Sequence, residues 1–275
     1  MSETSVAISI DPRGVATVTL RRPQKHNAFD DHMISALKDA FEQLGSDSAV
    51  RVVVLAAEGK SFSAGADLGW MQRMANYSYA ENLRDADTLA QMLKTLNFLP
   101  KPTIARVQGA AFGGAVGLVS CCDMAAASTR ASFSLSEVKI GLLPATISPY
   151  VINAIGQRAA RRYFISAEKF NAETARQLGL VSRVVEDEDL DATVNDWIDA
   201  LLGNSPEAVS GAKQLVFDVA GREISEDLIH DTCERIAAIR VSALGQEGLN
   251  AFLEKRRPNF LPEATHNQAG KDTSE

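Results

Sequence analysis

Two short loops of small residues are the segments of this sequence best suited to chemistry. The first reads SFSAGADL and spans Ser61–Leu68, and the second reads GAAFGGAVG and spans Gly109–Gly117. Small residues let backbone N–H groups approach a ligand closely, and the first turn of a helix presents N–H groups without intrahelical partners. One N–H from each loop would together stabilise an oxygen atom that gains negative charge, which is what acyl-thioester chemistry requires.

Each loop taken singly is also typical of a tight turn with no chemical role. Neither loop matches a Walker A or dinucleotide-binding pattern, because no Gly-Lys-Ser/Thr follows and the glycine spacing is not G-x-G-x-x-G. The pair therefore favours an oxyanion site over a nucleotide-phosphate site.

Glu137 is the candidate proton carrier. It lies in the segment LSEVKIGLL among Leu135, Ile140, Leu142 and Leu143. Apolar surroundings raise the pKa of a carboxyl group, and a raised pKa suits proton exchange near neutral pH. From the residues alone, a solvated loop glutamate is the favoured interpretation, because carboxylates with a perturbed pKa are a minority.

The elements that must position these groups alternate between strand and helix. Residues 8–20 predict a β-hairpin, Asp30 is a candidate N-cap, and the run Val50–Leu55 is typical of a strand buried on both faces. Further apolar patterns predict helices over 83–96 and 113–122, strands over 103–107, 124–127 and 180–185, and mostly helix from Ile147 onward. The segment Ser205–Leu253 is predicted to be helical with interruptions at Gly221 and Gly245. This order indicates an α/β core that carries a helical C-terminal third.

Composition excludes several classes of protein. The 275 residues are 45% hydrophobic and 23% charged, which fits a globular chain, and the net charge of −7 opposes binding to nucleic acid or an anionic membrane. Three cysteines and four histidines show no disulfide framework and no metal-ligand spacing. We predict no metal, no nucleic-acid partner, no membrane partner and a cytoplasmic location, because no apolar run or leader pattern is present.

Taken in order, the motifs resemble the enoyl-CoA hydratase/isomerase (crotonase) superfamily over residues 5–260. The resemblance rests on Arg22-Pro23 with Asn27-Ala28, the SAGADL loop, the Gly109–Gly117 loop with Cys122-Asp123, Ser136–Gly141, Thr174–Val181 and Glu247–Phe260. It implies an α/β fold, a spiral of repeated β-β-α units with a helical C-terminal module.

The resemblance also implies a domain organisation and an assembly. Residues 1–200 would form the spiral core with the coenzyme A (CoA) site and active site, 201–262 a helical trimerisation module, and 263–275 a disordered tail. The expected partners are an acyl-CoA thioester substrate and further copies of the chain, in a homotrimer or a dimer of trimers. CoA would be part of the substrate, so no separate cofactor is expected.

The resemblance assigns roles residue by residue. The N–H groups of Ala66 and Gly114 would hold the thioester oxygen, and Glu137 would be the catalytic carboxylate. The residues that would line the substrate and CoA site are Lys25, Ala64, Ala66, Asp67, Leu68, Gly113, Gly114 and Gly117.

Gly117 departs from the family pattern, because typical hydratases carry a second glutamate at this position. Either Glu137 alone serves a hydratase, with a water beside Gly117 where the other carboxylate would lie, or the enzyme is an isomerase with one proton shuttle. A third possibility is an RNA-binding or non-catalytic relative, with Arg158, Arg161 and Arg162 or Lys255–Arg257 as basic clusters.

Three segments are most similar to bacterial methylglutaconyl-CoA hydratases of leucine degradation and to hydratases of isoprenoid catabolism. They are residues 109–123, 136–151 and Asp67–Met71. This similarity implies a branched 3-methyl-substituted enoyl-CoA such as 3-methylglutaconyl-CoA. A distal carboxylate on that substrate would need a cation, for which Arg73 and Arg84 are candidates.

Overall fold

The computed structural model describes residues 4–261, which form nine strands and ten α-helices. The strands are β1 (Val6–Ile10), β2 (Val15–Leu20), β3 (Val52–Ala57), β4 (Thr103–Val107), β5 (Ala111–Phe112), β6 (Met124–Ser128), β7 (Ser132–Ser134), β8 (Phe170–Asn171) and β9 (Arg183–Val185). The helices are α1 (Asp31–Ser46), α2 (Leu68–Met74), α3 (Tyr79–Asn97), α4 (Gly114–Cys121), α5 (Ser148–Ser166), α6 (Ala172–Leu178), α7 (Leu190–Leu202), α8 (Pro206–Val219), α9 (Glu226–Val241) and α10 (Ala243–Leu253). Short 3₁₀ turns cover Pro23–Lys25, Glu137–Ile140 and Asp187–Asp189.

The strands form two sheets. The larger has the order β1-β2-β3-β4-β6-β9 and is parallel except for the β1–β2 hairpin. The smaller has the order β5-β7-β8, in which β5 and β7 are parallel. The chain adds one strand to each sheet and then a helix, as in β4-β5-α4 and β6-β7-α5, so the predicted spiral of β-β-α units is confirmed.

Helices cover both faces of the larger sheet. On one face α1, α3 and α4 bury a large core that includes Phe41, Leu55 and Leu93. On the other face α7 packs Val194 and Ile198 against alternate residues of the strands. Residues of β3 are buried on both faces, which explains the unbroken apolar run in the sequence.

Helix α1 begins as its sequence predicts. Asp30 is extended and its Oδ1 accepts a hydrogen bond of 2.9 Å from the N–H of Met33. This is the N-cap geometry that satisfies one of the four unpaired N–H groups of a first helical turn. This cap fixes the start of α1, the helix that follows the β1–β2 hairpin and covers the core.

The C-terminal third is helical, but one predicted boundary is wrong. The chain breaks after α8 around Gly221, as predicted, whereas Gly245 lies inside the first turn of α10. The break occurs at Ser242, whose extended backbone and hydroxyl cap α10 by accepting 3.1 Å from the N–H of Gly245. The glycine therefore lies just after a cap and does not interrupt the helix. The prediction for the tail, 263–275, lies outside the described residues.

Lys213 joins α8 to the core. Its Nζ donates 2.8 Å to Oδ2 of Asp123 and 3.1 Å to the carbonyl of Lys101. Asp123 also accepts from the N–H and hydroxyl of Thr103 at 2.7 and 2.9 Å. Asp123, which follows Cys122, therefore links strands β4 and β6 to the C-terminal helices through hydrogen bonds.

Candidate active site

The two parallel strands of the smaller sheet bring the second loop and Glu137 together. Strand β5 leads into Gly113, and β7 leads into the turn that begins at Glu137. The N–H of Gly113 donates 2.9 Å to the carbonyl of Ser134. Carboxyl ends of parallel strands meet at one edge of a sheet, and this edge therefore places a helix N-terminus beside a carboxylate.

The first loop is hydrogen-bonded to the second. Ser63 donates its N–H to the carbonyl of Ala110, and Phe112 donates to the carbonyl of Ser63, both at 3.0 Å. These bonds extend the smaller sheet by one short bridge. The two loops therefore form one rigid unit.

Phe29 contacts both loops. Its backbone accepts 2.7 Å from the N–H of Asp67 and donates 2.7 Å to the carbonyl of Gly65, and its ring lies 3.4 Å from where a Cβ on Gly114 would be. This buried residue fixes the spacing between the backbone of Ala66 and that of Gly114. The sequence analysis assigned no role to it.

The N–H groups of Ala66 and Gly114 are the free donors of this unit. Within residues 4–261, neither donates to another group of the protein. Gly114 is the first residue of α4, where the helix dipole adds positive potential. Two such dipoles, fixed before the reaction, can stabilise an oxyanion by several kcal/mol.

The carboxylate of Glu137 faces this unit from the second strand end. Its Oε1 lies 3.1 Å from where a Cβ on Gly113 would be, and its buried Oε2 has no hydrogen-bond partner in the described part of the chain. Burial raises the pKa of the Glu137 carboxyl, with a backbone hydrogen bond acting in the opposite direction. A half-buried carboxylate whose Oε2 has no partner in the described chain can exchange protons with a ligand.

Asp67 holds the first loop by several bonds. Its Oδ1 caps α2 by accepting from the N–H groups of Gly69 and Trp70 at 2.9 and 3.2 Å, and its Oδ2 accepts 2.8 Å from Lys25 Nζ and 3.2 Å from Arg22 Nη2. The hydrogen bond from Lys25 is the main cause that lowers the pKa of the Asp67 carboxyl, although burial opposes it. These bonds to Asp67 fix the backbone directly after Ala66.

Arg22 is a second residue that the sequence analysis left without a role. Besides Asp67, it donates 2.6 Å to Oδ2 of Asp30 and 3.2 Å to the carbonyl of Ala28. It links the caps of α1 and α2 at the back of the site. The only sequence signal was the Arg22-Pro23 pair within the family motif.

The other residues predicted to bind substrate lie at the open side of the first loop. Ala64, Ala66 and Leu68 are exposed, and Leu68 retains 75% of its accessible surface. Lys25 is half exposed, and its Nζ contacts Asp67. Exposed apolar side chains beside free N–H groups suit an acyl thioester.

The space beside Gly117, where a water is predicted, is bordered by Ile147. A Cβ added at Gly117 would lie 2.9 Å from Cβ of Ile147, closer still to its Cγ2, and 3.5 Å from Cδ2 of Leu93. Ile147 is 2% exposed, and its side chain fills the space into which a residue at position 117 would point. The sequence did not show this, because Ile147 comes from the start of α5, 30 positions away.

Arg73 and Arg84, the candidate cations for a distal carboxylate of the substrate, differ in whether they already form an ion pair. Arg73 donates 2.5 Å to Oδ1 of Asp31, whereas Arg84 is exposed on α3 and has no ion pair within the described chain. Each basic cluster contains an arginine paired with acid: Arg162 binds Glu168, and Arg256 binds Glu247. The bonds from Arg256 and the backbone of Asn259 lower the pKa of Glu247 to about 2, so this pair stays charged.

Other potential sites are few. Residues 4–261 contain no group of three or more His, Cys, Asp and Glu side chains arranged to hold a metal ion. Cys121, Cys122 and Cys233 are free thiols. None of the helices in this range combines the length and hydropathy needed to traverse a lipid bilayer.

Comparisons with known proteins agree with this geometry. The family model described as enoyl-CoA hydratase/isomerase matches residues 11–263. A crystal structure of an enoyl-CoA hydratase from Shewanella pealeana is 49% identical, with a TM-score of 0.90 and coverage of 93% of this chain and 95% of that chain.

Two curated relatives carry different reaction names. The crotonyl-CoA hydratase of Syntrophomonas wolfei is 31% identical over 258 residues, covering 90% of this chain and 94% of the relative. The trans-2-decenoyl-(acyl-carrier-protein) isomerase of Streptococcus mutans is 31% identical over 254 residues, with the same coverage of 90% and 94%. The chain belongs to the enoyl-CoA hydratase/isomerase family, with the crotonase fold.

Proposed function

We propose that this protein hydrates a 2-enoyl-CoA thioester with Glu137 as its single acid–base residue. The observation that supports this most is the half-buried Glu137 carboxylate, whose Oε2 has no partner in the described chain and whose Oε1 lies against Gly113, the residue before the free N–H of Gly114. The thioester oxygen would accept from both N–H groups. Carbon atoms 2 and 3 of the substrate would then face Glu137.

One carboxylate is sufficient for a balanced reaction. The Glu137 carboxylate takes a proton from water as the water oxygen bonds to C3, and the C2=C3 electrons move to the thioester oxygen. The resulting enolate is held by Ala66 and Gly114. It collapses as the Glu137 carboxyl delivers its proton to C2, which adds one water across the double bond and restores the carboxylate.

The acyl group that we propose is branched at C3, as in 3-methylglutaconyl-CoA, an intermediate of leucine or isoprenoid catabolism. The support is the sequence similarity of residues 109–123 and 136–151 to such hydratases. For the distal carboxylate, Arg84 is the better candidate, because Arg73 already binds Asp31.

An isomerase is the second candidate. It is favoured by the single carboxylate, because moving a double bond requires one group to remove a proton and return it at another carbon. The resemblance to an isomerase of Streptococcus mutans is in line with it. Both reactions place negative charge on the thioester oxygen.

An absorbance assay against a small panel separates these candidates. The panel contains crotonyl-, 3-methylcrotonyl- and 3-methylglutaconyl-CoA together with a 3-enoyl-CoA. We expect loss of enoyl absorbance with the 3-methyl substrates, fastest with 3-methylglutaconyl-CoA. Conversion of the 3-enoyl thioester alone would favour the isomerase, and no turnover of any member would contradict both.

We also propose a homotrimer or a dimer of trimers formed through the C-terminal helices. Large apolar side chains on α8–α10 are exposed, among them Ile236, Leu249 and Phe252, and a groove of about 550 Å³ runs between α8 and α9. Contiguous exposed apolar side chains of this kind mark interaction surfaces. Light scattering should give a mass of three or six chains, and a stable monomer at micromolar concentration would contradict this.

A further inference from the structure

Gly117 and Ile147 are in contact across the α4–α5 packing. The clash that any side chain at 117 would meet involves Cβ of Ile147 at 2.9 Å as well as its Cγ2. A rotamer change moves Cγ2 but leaves Cβ in place. The backbone position of Ile147 therefore excludes a side chain at position 117, whatever the orientation of the Ile147 side chain.

Ile147 is held firmly in that place. Its carbonyl accepts 3.1 Å from the N–H of Val151, and the next residue, Ser148, donates its N–H and its hydroxyl to the carbonyl of Ala145 at 3.1 and 2.7 Å. Ile147 and Val151 are both buried. The start of α5 would have to move as a unit to admit a side chain at 117.

Gly117 lies one helical turn after Gly114, the proposed oxyanion donor. Residues three apart in a helix share a face, so a side chain at 117 would lie beside the reacting carbons. The neighbouring carboxylate in the loops, Asp67, is bound by Lys25 and Arg22 and caps α2. It is not available as a replacement acid.

We infer that Ile147 is a specificity-determining residue, because its buried side chain occupies the space that the Cβ of a residue at 117 would take and so confines acid–base catalysis to Glu137. This inference rests on the proposed function for its catalytic part, whereas its steric part does not. Removal of Ile147 should allow a glutamate at 117. The added carboxylate would activate water for an unbranched substrate, for which one carboxylate is a weak catalyst.

The steric part is tested by melting temperature. Gly211, in the middle of α8, has no atom within 4 Å of an added Cβ. It lines the α8–α9 groove, so it is the control for Gly117 when light scattering gives both variants the mass of the wild type. Alanine in a helix is normally more stable than glycine, so Gly211→Ala should keep or raise the Tm. Gly117→Ala should lower the Tm by about 5 °C or more, the scale of an overpacked core.

The same pair is then made in an Ile147→Gly background. Glycine is accepted at an N-cap, which is the position of Ile147 in α5, although the lost side chain will itself lower the Tm. Here Gly117→Ala should lower the Tm by less than half as much as in the wild type. An equal loss in both backgrounds, or a Gly117→Ala variant as stable as Gly211→Ala, would overturn the inference.

The catalytic part is tested with crotonyl-CoA. The double variant Gly117→Glu/Ile147→Gly should hydrate it at least ~10-fold faster than Ile147→Gly, toward the lower range of general acid–base effects. A folded double variant without this gain would overturn the inference, as would a double variant that does not fold when Ile147→Gly does. If the wild type turns over no enoyl-CoA, the proposed function fails while the Tm comparison still decides the steric part.

Discussion

The carboxylate of Glu137 lies against the backbone of Gly113, so closely that a Cβ on that glycine would be 3.1 Å from Oε1. Gly113 also has φ +53° and ψ −121°, a conformation that residues with a side chain rarely adopt. Proximity and conformation both require glycine here. The Glu137 carboxylate therefore packs closely against the loop that carries the proposed oxyanion donor.

Gly113→Ala should therefore lower kcat by up to ~10²-fold, the effect of moving a reacting group by about 1 Å. Gly221→Ala is the control, because Gly221 also has positive φ but no atom within 4 Å of an added Cβ. Both variants place an alanine at positive φ, a strain of about 1–3 kcal/mol. Equal kcat in the two variants would mean that Gly113 does not position Glu137.

The activity should depend on pH through Glu137. The carboxylate form must accept a proton from water, so kcat/KM should fall as pH decreases through the pKa of this group. Because burial raises that pKa, the midpoint should lie above the ordinary value for glutamate. A pH–rate profile measured on the free enzyme gives the midpoint, and a value at or below that of an exposed glutamate would contradict the assignment.

Gly114→Pro should lower kcat by ~10²-fold or more, because proline removes the N–H proposed to hold the oxyanion. Gly114 is the first residue of α4, a position where a helix accepts proline. Gly114→Ala is the matched control, since it keeps the N–H and its Cβ would lie an acceptable 3.4 Å from Phe29. Circular dichroism establishes folding, and a folded proline variant with unchanged kcat would remove Gly114 from the site.

Asp67→Asn should destabilise the protein by about 1–3 kcal/mol, the range for hydrogen bonds to charged groups. The pKa of Asp67 is lowered in the folded state, so its contribution is present above the unfolded pKa and is lost as pH falls through the folded pKa. The Tm difference from wild type should be largest near pH 7 and shrink toward pH 2. A pH-independent difference would show that the ion pairs with Lys25 and Arg22 do not carry the effect.

Local signals allowed several elements to be predicted from the sequence. The Asp30 cap, the doubly buried strand and the two loops each depend on residues that are near in the chain. Asp67 was predicted as a binding residue from the family pattern, while its contact with Arg22 spans 45 positions and had no local signal. Boundaries were less accurate where a polar cap, such as Ser242, ended a helix before the nearest glycine.

The packing beside Gly117 also had no local signal in the sequence. A missing side chain in a motif leaves a space only if nothing else fills it, and protein interiors are close-packed. Ile147 reaches that space from another turn of the spiral. Packing between segments that are distant in the sequence determines whether such a space is filled. Hydrophobic periodicity along the sequence gives no information on this packing.

Hydration by Glu137 is tested most directly by incubating 3-methylglutaconyl-CoA with the enzyme in oxygen-18 water. Mass spectrometry should place one labelled oxygen at C3 of the product, and Glu137→Gln should slow its formation by at least ~10²-fold. The exposed Glu188→Gln is the control and should behave as wild type. A product with a shifted double bond and no label, or full labelling by Glu137→Gln, would contradict hydration through this residue.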